Sequence, residues 1–318
     1  MMKPSSGLLR SPRSLACLLG ALALVPLSVR GQDLGTDCEL IDYRTTNSQV
    51  FGADRITWIG GPTMVCPDGV RIRADSAVVY EANGRSELIG NVELNHPERT
   101  LRAAYADLYE RQDELFARGN VDFRDLVRGS EIRGDTLRFL EGGRVRPEDE
   151  MSVVGSPAEA ILVPAGDDLS DTPRTPYTVR ATRIRSQGER YFWAAGNANI
   201  EREDLQATSD SLFYEEQEGN LLLTGNARTH RDGLELEGER ITLLMPNDEL
   251  RSVELLGRGR LFTDDLELLG DEVRITLQDE QIQRLVAVLR PVVEGIESAG
   301  PPRLMTEDVH MRGDSIDV

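Results

Sequence analysis

Aromatic side chains are scarce in this 318-residue chain, with Phe, Trp and Tyr together making up 5% of it. Such side chains usually supply much of the area buried in a large globular core. Their scarcity, beside 29 glycines, argues for a thin, extended core. Cysteines and histidines number three each. His96, His230 and His310 lie far apart and none has ligand-like spacing to a cysteine, so no metal site is expected. No Ser-His-Asp arrangement, HExxH motif or phosphate-cradling glycine loop occurs. The sequence therefore nominates no catalytic residue and no cofactor, and the expectation is a non-enzyme. Basic charge is also in deficit: 36 Lys and Arg stand against 55 Asp and Glu, a formal net charge of −19. That balance excludes a nucleic-acid partner and docking on an anionic membrane by charge alone. Long apolar runs are missing too, with one exception near the N-terminus.

That exception, residues 14–29, follows Lys3, Arg10 and Arg13 and is broken by Pro26. It reads as a secretory signal cleaved after Gly31, with Val29 and Gly31 at the small-residue positions. An uncleaved anchor helix is the alternative, for which the run is short. Cys17 has a poor lipoprotein box. Removing residues 1–31 takes away four cations and no acid, which leaves a charge of about −23. It also leaves two cysteines, Cys38 and Cys66. An even count in an exported chain suggests a disulfide, here closing the N-terminal end.

What the chain has in abundance is one pattern. In residues 205–230, Leu205, Ala207, Leu212 and Tyr214 flank Ser209-Asp210, and Leu221, Leu223 and Ala227 flank Gly225-Asn226. Period-two alternation marks a strand with one buried face. A Gly-Asn pair within it marks a bulge or kink, since both residues tolerate positive φ. The stretch reads as a β-hairpin with both arms bent at mid-length. The first-arm bend recurs at Asp75, Ala106, Asp135, Thr182, Asp210, Glu239, Asp271 and Asp314, mostly about 30 residues apart. The return-arm bend recurs at Gly90-Asn91, Gly119-Asn120, Gly155-Ser156, Gly196-Asn197 and Gly225-Asn226, and in the next copy as Gly257 and Gly259.

Short turns between arms, among them Asn83-Gly84, make the strands antiparallel neighbours. The expected fold is all-β: stacked V-shaped hairpins in one continuous or two consecutive arrays. Residues 32–69 read as an irregular cap, 70–163 as repeats, 164–176 as an acidic, Pro-rich loop or linker, and 177–318 as further repeats ending in an unpaired strand. The repeated Asp75, Asp135, Asp210 and Asp271 lie on one line. That is the pattern of a bend-stabilising ladder, with calcium binding or a glycosidase-like carboxylate pair as rivals.

The stretches VRIRADSAVVYE…LIGNVEL (70–94), LRAAYADLYE…LFARGNVDF (101–123) and LQATSDSLFYE…LLLTGNA (205–227) resemble the OstA-like β-jellyroll family of lipopolysaccharide transport, which includes LptA, LptC and the N-terminal domain of LptD. The resemblance covers most of residues 50–318. The chain is longer than one LptA-like unit and lacks the barrel that follows this domain in LptD. The resemblance implies an open V-shaped jellyroll in the periplasm of a Gram-negative-type envelope. It implies acyl chains of lipopolysaccharide or another acylated lipid in the interior, passed toward the outer membrane. It also implies edge-strand stacking onto partner jellyrolls, with self-association compatible. The residues expected to line the groove are Val92, Leu94, Leu108, Val121, Phe123, Leu137, Phe139, Ile184, Ile200, Leu212 and Leu223. Inward apolar residues also fill any closed sandwich, so a structural or adhesive β-solenoid without lipid cargo is the competing expectation.

Overall fold

The computed structural model describes residues 38–66, 69–143, 146–163, 175–203, 205–231, 233–279, 281–290 and 298–318. All belong to one compact unit, Gln32–Val318. The expected leader, 1–31, and nearly all of segment 164–176 lie outside the described residues. Among these there are 22 strands, two single-turn 3-10 segments and no α-helix, hence no helix long and apolar enough to cross a membrane.

Six short strands open the array: β1 (Glu39–Asp42), β2 (Thr45–Phe51), β3 (Asp54–Gly60), β4 (Thr63–Val65), β5 (Arg71–Arg73) and β6 (Ser76–Tyr80). Long bent strands follow: β7 (Arg85–Asn95), β8 (Arg99–Tyr109), β9 (Glu114–Asp125), β10 (Glu131–Leu140), β11 (Glu150–Leu162) and β12 (Tyr177–Gln187). The series continues through β13 (Tyr191–Arg202), β14 (Leu205–Glu215), β15 (Asn220–Arg231), β16 (Leu234–Leu244), β17 (Ser252–Phe262) and β18 (Glu267–Gln278). The chain closes with β19 (Gln281–Val288), β20 (Arg303–Met305), β21 (His310–Arg312) and β22 (Ser315–Asp317).

From β7 to β18 each strand pairs antiparallel with the next, and the register skips at mid-length. In β11 the skip spans the cis Ser156-Pro157 bond with no positive φ; in β7, β9, β13, β15 and β17 it falls where φ turns positive on two successive residues, as at Gly90-Asn91 (76°, 45°) and Gly225-Asn226 (80°, 47°). Glycine and asparagine enter this left-handed region at low cost. Each strand is thereby folded into two arms, and the arms form two walls meeting along a line of bends. At the N-terminal end separate strands do the same work: β2, β3 and β6 extend the first wall, and β1, β4 and β5 the second. Residues 38–66, expected as an irregular cap with strand-like pieces between Tyr43 and Val65, are thus largely regular strands of both walls. Strands β11 and β12 pair directly, Leu162 opposite Tyr177, so segment 164–176 joins neighbours within one array.

Backbone bonds run along the spine of bends. Arg44 N donates to Gly60 O (2.8 Å), Gly61 N to Asp75 O (2.7 Å) and Asp75 N to Gly90 O (2.8 Å). In four copies the side chain of the first-arm bend rests on the glycine of the next strand: Asp75 on Gly90, Ala104 on Gly119, Thr182 on Gly196 and Asp210 on Gly225. A Cβ on Gly225 would lie 2.8 Å from Cβ of Asp210, and one on Gly119 2.8 Å from Cβ of Ala104. The second copy of the repeat therefore bends at Ala104, two residues before the expected Ala106. Ala106 instead points inward and is fully buried. With alanine in place of aspartate at that bend, the acidic marker was absent and the register slipped by one inward position.

The aspartates of the bend line serve two purposes. Asp75 accepts a hydrogen bond from the Asn91 side-chain amide (2.8 Å). Asp271, 6% exposed, accepts from the backbone N–H groups of Arg290 (3.0 Å) and Ala299 (2.6 Å) and from the Ser298 hydroxyl (2.8 Å), and so anchors the C-terminal segment. Among the described residues no group of His, Cys, Asp and Glu is arranged to hold a metal ion.

The last strand is not unpaired, as expected, but runs antiparallel to β19, Ile316 opposite Ala287. Arg284 grips the Asp317 carboxylate through Nε (2.8 Å) and Nη2, which holds Asp317 below the usual carboxylate range. A lowered native value contributes stability above the ordinary value of about 4, lost as pH falls through the depressed value. We expect exchange of the Val318 amide, which bonds Leu285 O (2.9 Å), to rise relative to that of β16 amides when pH is lowered from 7 to 3. Arg284→Ala should give the same relative increase at pH 7.

Candidate functional site

Alternation places one apolar row of each wall inside the V. Near the spine the walls leave little room, and the second wall carries small residues there: Ala103, Ala158, Ala181, Ala198 and Ala227, all buried. Opposite them on the first wall, Leu88, Leu137, Leu223, Ile241 and Leu255 are 0% exposed. Each such burial is worth roughly 1.5–3 kcal/mol.

Away from the spine the walls diverge and leave space. A cavity of about 760 Å³ extends from Glu98 and Arg99 to Leu221 and Met245, and one of about 400 Å³ from Cys38 and Cys66 to Phe139 and Glu141. Both touch Arg99, Phe123 and Phe139. Phe123 on the second wall and Phe139 on the first stack across the trough at 6.3 Å between centroids and form a partition between two chambers. Tyr177 and Tyr214 also meet across it, tilted by 45°, at 6.4 Å. Both volumes lie in the range of small-molecule sites.

The eleven residues expected to line a groove divide by distance from the bend. Leu94, Leu108, Phe123, Phe139 and Ile200 line the chambers. Val92, Val121, Leu137, Ile184, Leu212 and Leu223 point inward but are at most 3% exposed and fill the closed back. Ile132, Met151, Leu162, Phe192 and Leu221 also line the space and were not singled out, although they lie on the same alternating rows. Cys38 and Cys66 are joined by a disulfide that borders the smaller chamber. It ties the residue before β1 to the residue after β4, so the two outermost strands of the second wall are held together.

The chambers do not run the whole array. Beyond Met245, the inward residues Leu255, Leu261, Leu268 and Val273 are 0% exposed. At the transition the Arg231 guanidinium, from a residue 5% exposed on the second wall, reaches 2.9 Å from Sδ of Met245 on the first.

The mouth is charged. Lys3 is the only lysine of the sequence, and the cations of the mouth are arginines. Arg99, at the free edge of the second wall, donates across the opening to Asp149 Oδ2 (3.0 Å) and Glu141 Oε1 (3.2 Å) at the free edge of the first. Its guanidinium also lies over the Phe139 ring at 4.9 Å. Arg128 spans the opening likewise, to Glu189 Oε2 (2.8 Å) and Glu216 Oε2 (3.1 Å). Arg99 is the first residue of β8, and its partners, like Arg128 and its own, lie in turns and loops outside the alternating rows, where periodicity carries no signal.

The family model described as "LptA/(LptD N-terminal domain) LPS transport protein" matches residues 71–249, more than half of the chain. No curated protein matches. Among solved structures the chain is similar to LptH, described as the LptA homologous periplasmic component of the conserved lipopolysaccharide transport device from Pseudomonas aeruginosa. The identity is 17%, covering 40% of this chain and 82% of that one, with a TM-score of 0.34. On the extent of the family match, the chain belongs to the LptA/LptD N-terminal domain family of lipopolysaccharide transport proteins.

Proposed function

We propose that the protein holds acyl chains of lipopolysaccharide, or of another acylated lipid, in the two chambers and passes them toward the outer membrane from the periplasm. The observation that supports this reading best is the pair of apolar chambers lying between walls that are otherwise close-packed. Each methylene taken out of water contributes roughly 0.8 kcal/mol, so several chains are held without polar recognition. Passage between similar repeats then meets no deep minimum. The edges favour docking of partner jellyrolls or of a second copy: β2 is exposed at every position, and an exposed edge offers unpaired N–H and C=O groups to an added strand.

The filled interior beyond Met245 favours the second reading, a closed structural solenoid, for the segment after Met245 alone. Native mass spectrometry of the purified protein separates the readings for the whole chain. Bound acylated lipid, and uptake of labelled lipopolysaccharide after delipidation, are expected. A lipid-free protein that takes up neither labelled lipopolysaccharide nor a fatty-acid probe would reject the carrier.

A further inference from the structure

We infer that the long side of the trough is a gate held shut by two arginine straps, Arg99 and Arg128, and that cargo is loaded sideways when they part. This rests on the carrier reading for its cargo but not for its mechanics. Four ion pairs connect the free edges of the two walls: Arg99 with Glu141 and Asp149, and Arg128 with Glu189 and Glu216. None of the four is a neighbour within one wall. They join residues 42, 50, 61 and 88 positions apart, and every one must break before the walls can separate there. The walls also meet in the ring pairs Phe123–Phe139 and Tyr177–Tyr214, at Arg231 with Met245, and through the spine, where the buried rows act as a hinge that need not open.

Arginine suits this work because its planar fork serves two carboxylates at once. Arg128 and Glu216 are the most sheltered of the charged groups, with side chains 24% and 21% exposed. The others are wetter, and wet ion pairs are individually weak and screened by salt. That is the strength a gate requires: closed on average, yet opened by a modest input. The outward ion pairs along each wall, such as Arg180 with Glu159, bridge adjacent strands and would not respond to a separation of the walls.

The test labels the two edges directly. Leu126, beside Arg128, and Gln217, beside Glu216, are both exposed. Spin labels are placed on Leu126→Cys and Gln217→Cys in a chain carrying Cys17→Ser, and the distance between them is read by pulsed electron paramagnetic resonance. At low ionic strength a single short distance is expected. Added salt, or Arg99→Gln with Arg128→Gln, should move population to longer distances. In parallel, uptake of pyrene-labelled hexadecanoic acid should accelerate roughly tenfold in the double variant, the ratio that about 1.4 kcal/mol represents, and lose its dependence on salt. A distance distribution unchanged by salt and by both substitutions overturns the gate, even if the probe binds. A distribution that shifts while the probe never binds upholds the gate and rejects the carrier instead.

Discussion

Phe123→Asp should yield a folded protein that no longer takes up a fatty-acid probe, whereas Leu212→Asp should fail to fold stably. Both side chains point inward, so a scheme based on alternation alone treats them alike. Leu212 is 3% exposed and sits at the closed back between Ala194 and Leu223 of the adjoining strands. A carboxylate there is stranded without water or partner, at a cost of several kcal/mol beyond the lost burial. That is a large part of the 5–15 kcal/mol, roughly, that holds a typical domain together. Phe123 borders both chambers, where an aspartate can stay hydrated. Its replacement loses the stack with Phe139, worth roughly 0.5–1.5 kcal/mol, and sets a charge in the path proposed for acyl chains. Thermal denaturation and uptake of a fatty-acid probe, run on both variants and on the outward control Glu93→Ala, decide the matter. A Phe123→Asp protein that binds normally, or that melts with Leu212→Asp, would disprove the chambers as the binding path.

The second large effect belongs to the spine. Gly225→Val should lower stability by about 3 kcal/mol. A β-branched residue at φ 80° accounts for roughly 1–2 kcal/mol of it, and the remainder comes from its Cβ, 2.7 Å from Cγ and 2.8 Å from Cβ of Asp210. Asp210→Gly in the same chain removes the obstacle and should recover that remainder, leaving the cost of the left-handed backbone. Such non-additivity is the signature of direct contact. Gly143→Ala, with nothing within 4 Å of the added Cβ, should be close to neutral. Equal losses at Gly225 with and without Asp210 would mean that the bend is set by backbone conformation alone.

The legible part of the fold was the part written locally. Alternation along residues 205–230, the Gly-Asn pairs and the short turns are properties of adjacent residues, and they prescribe bent antiparallel strands wherever they occur. The second bend was misplaced at Ala106 because alanine at Ala104 carries no mark of a corner. Strand-like pieces were legible between Tyr43 and Val65, but their place in the array was not, because separate short strands, not one bent strand, make each V there. Of the candidate site, the inward face was legible but its depth was not. Leu94 and Val92 are alternate residues on one strand and read alike, yet one lines a chamber and the other packs the back.

By itself, then, the sequence determined the strand type, the face most side chains take and most of the places where the walls turn. Each of these follows from φ preferences and from a two-residue period. Tertiary structure alone decided where the interior is hollow, because that depends on the distance between two walls and on the volumes that meet across it. It also decided that the trough stops at Arg231 and Met245, and that Arg99 and Arg128 span its mouth, since contacts between residues up to 88 positions apart have no local period to announce them.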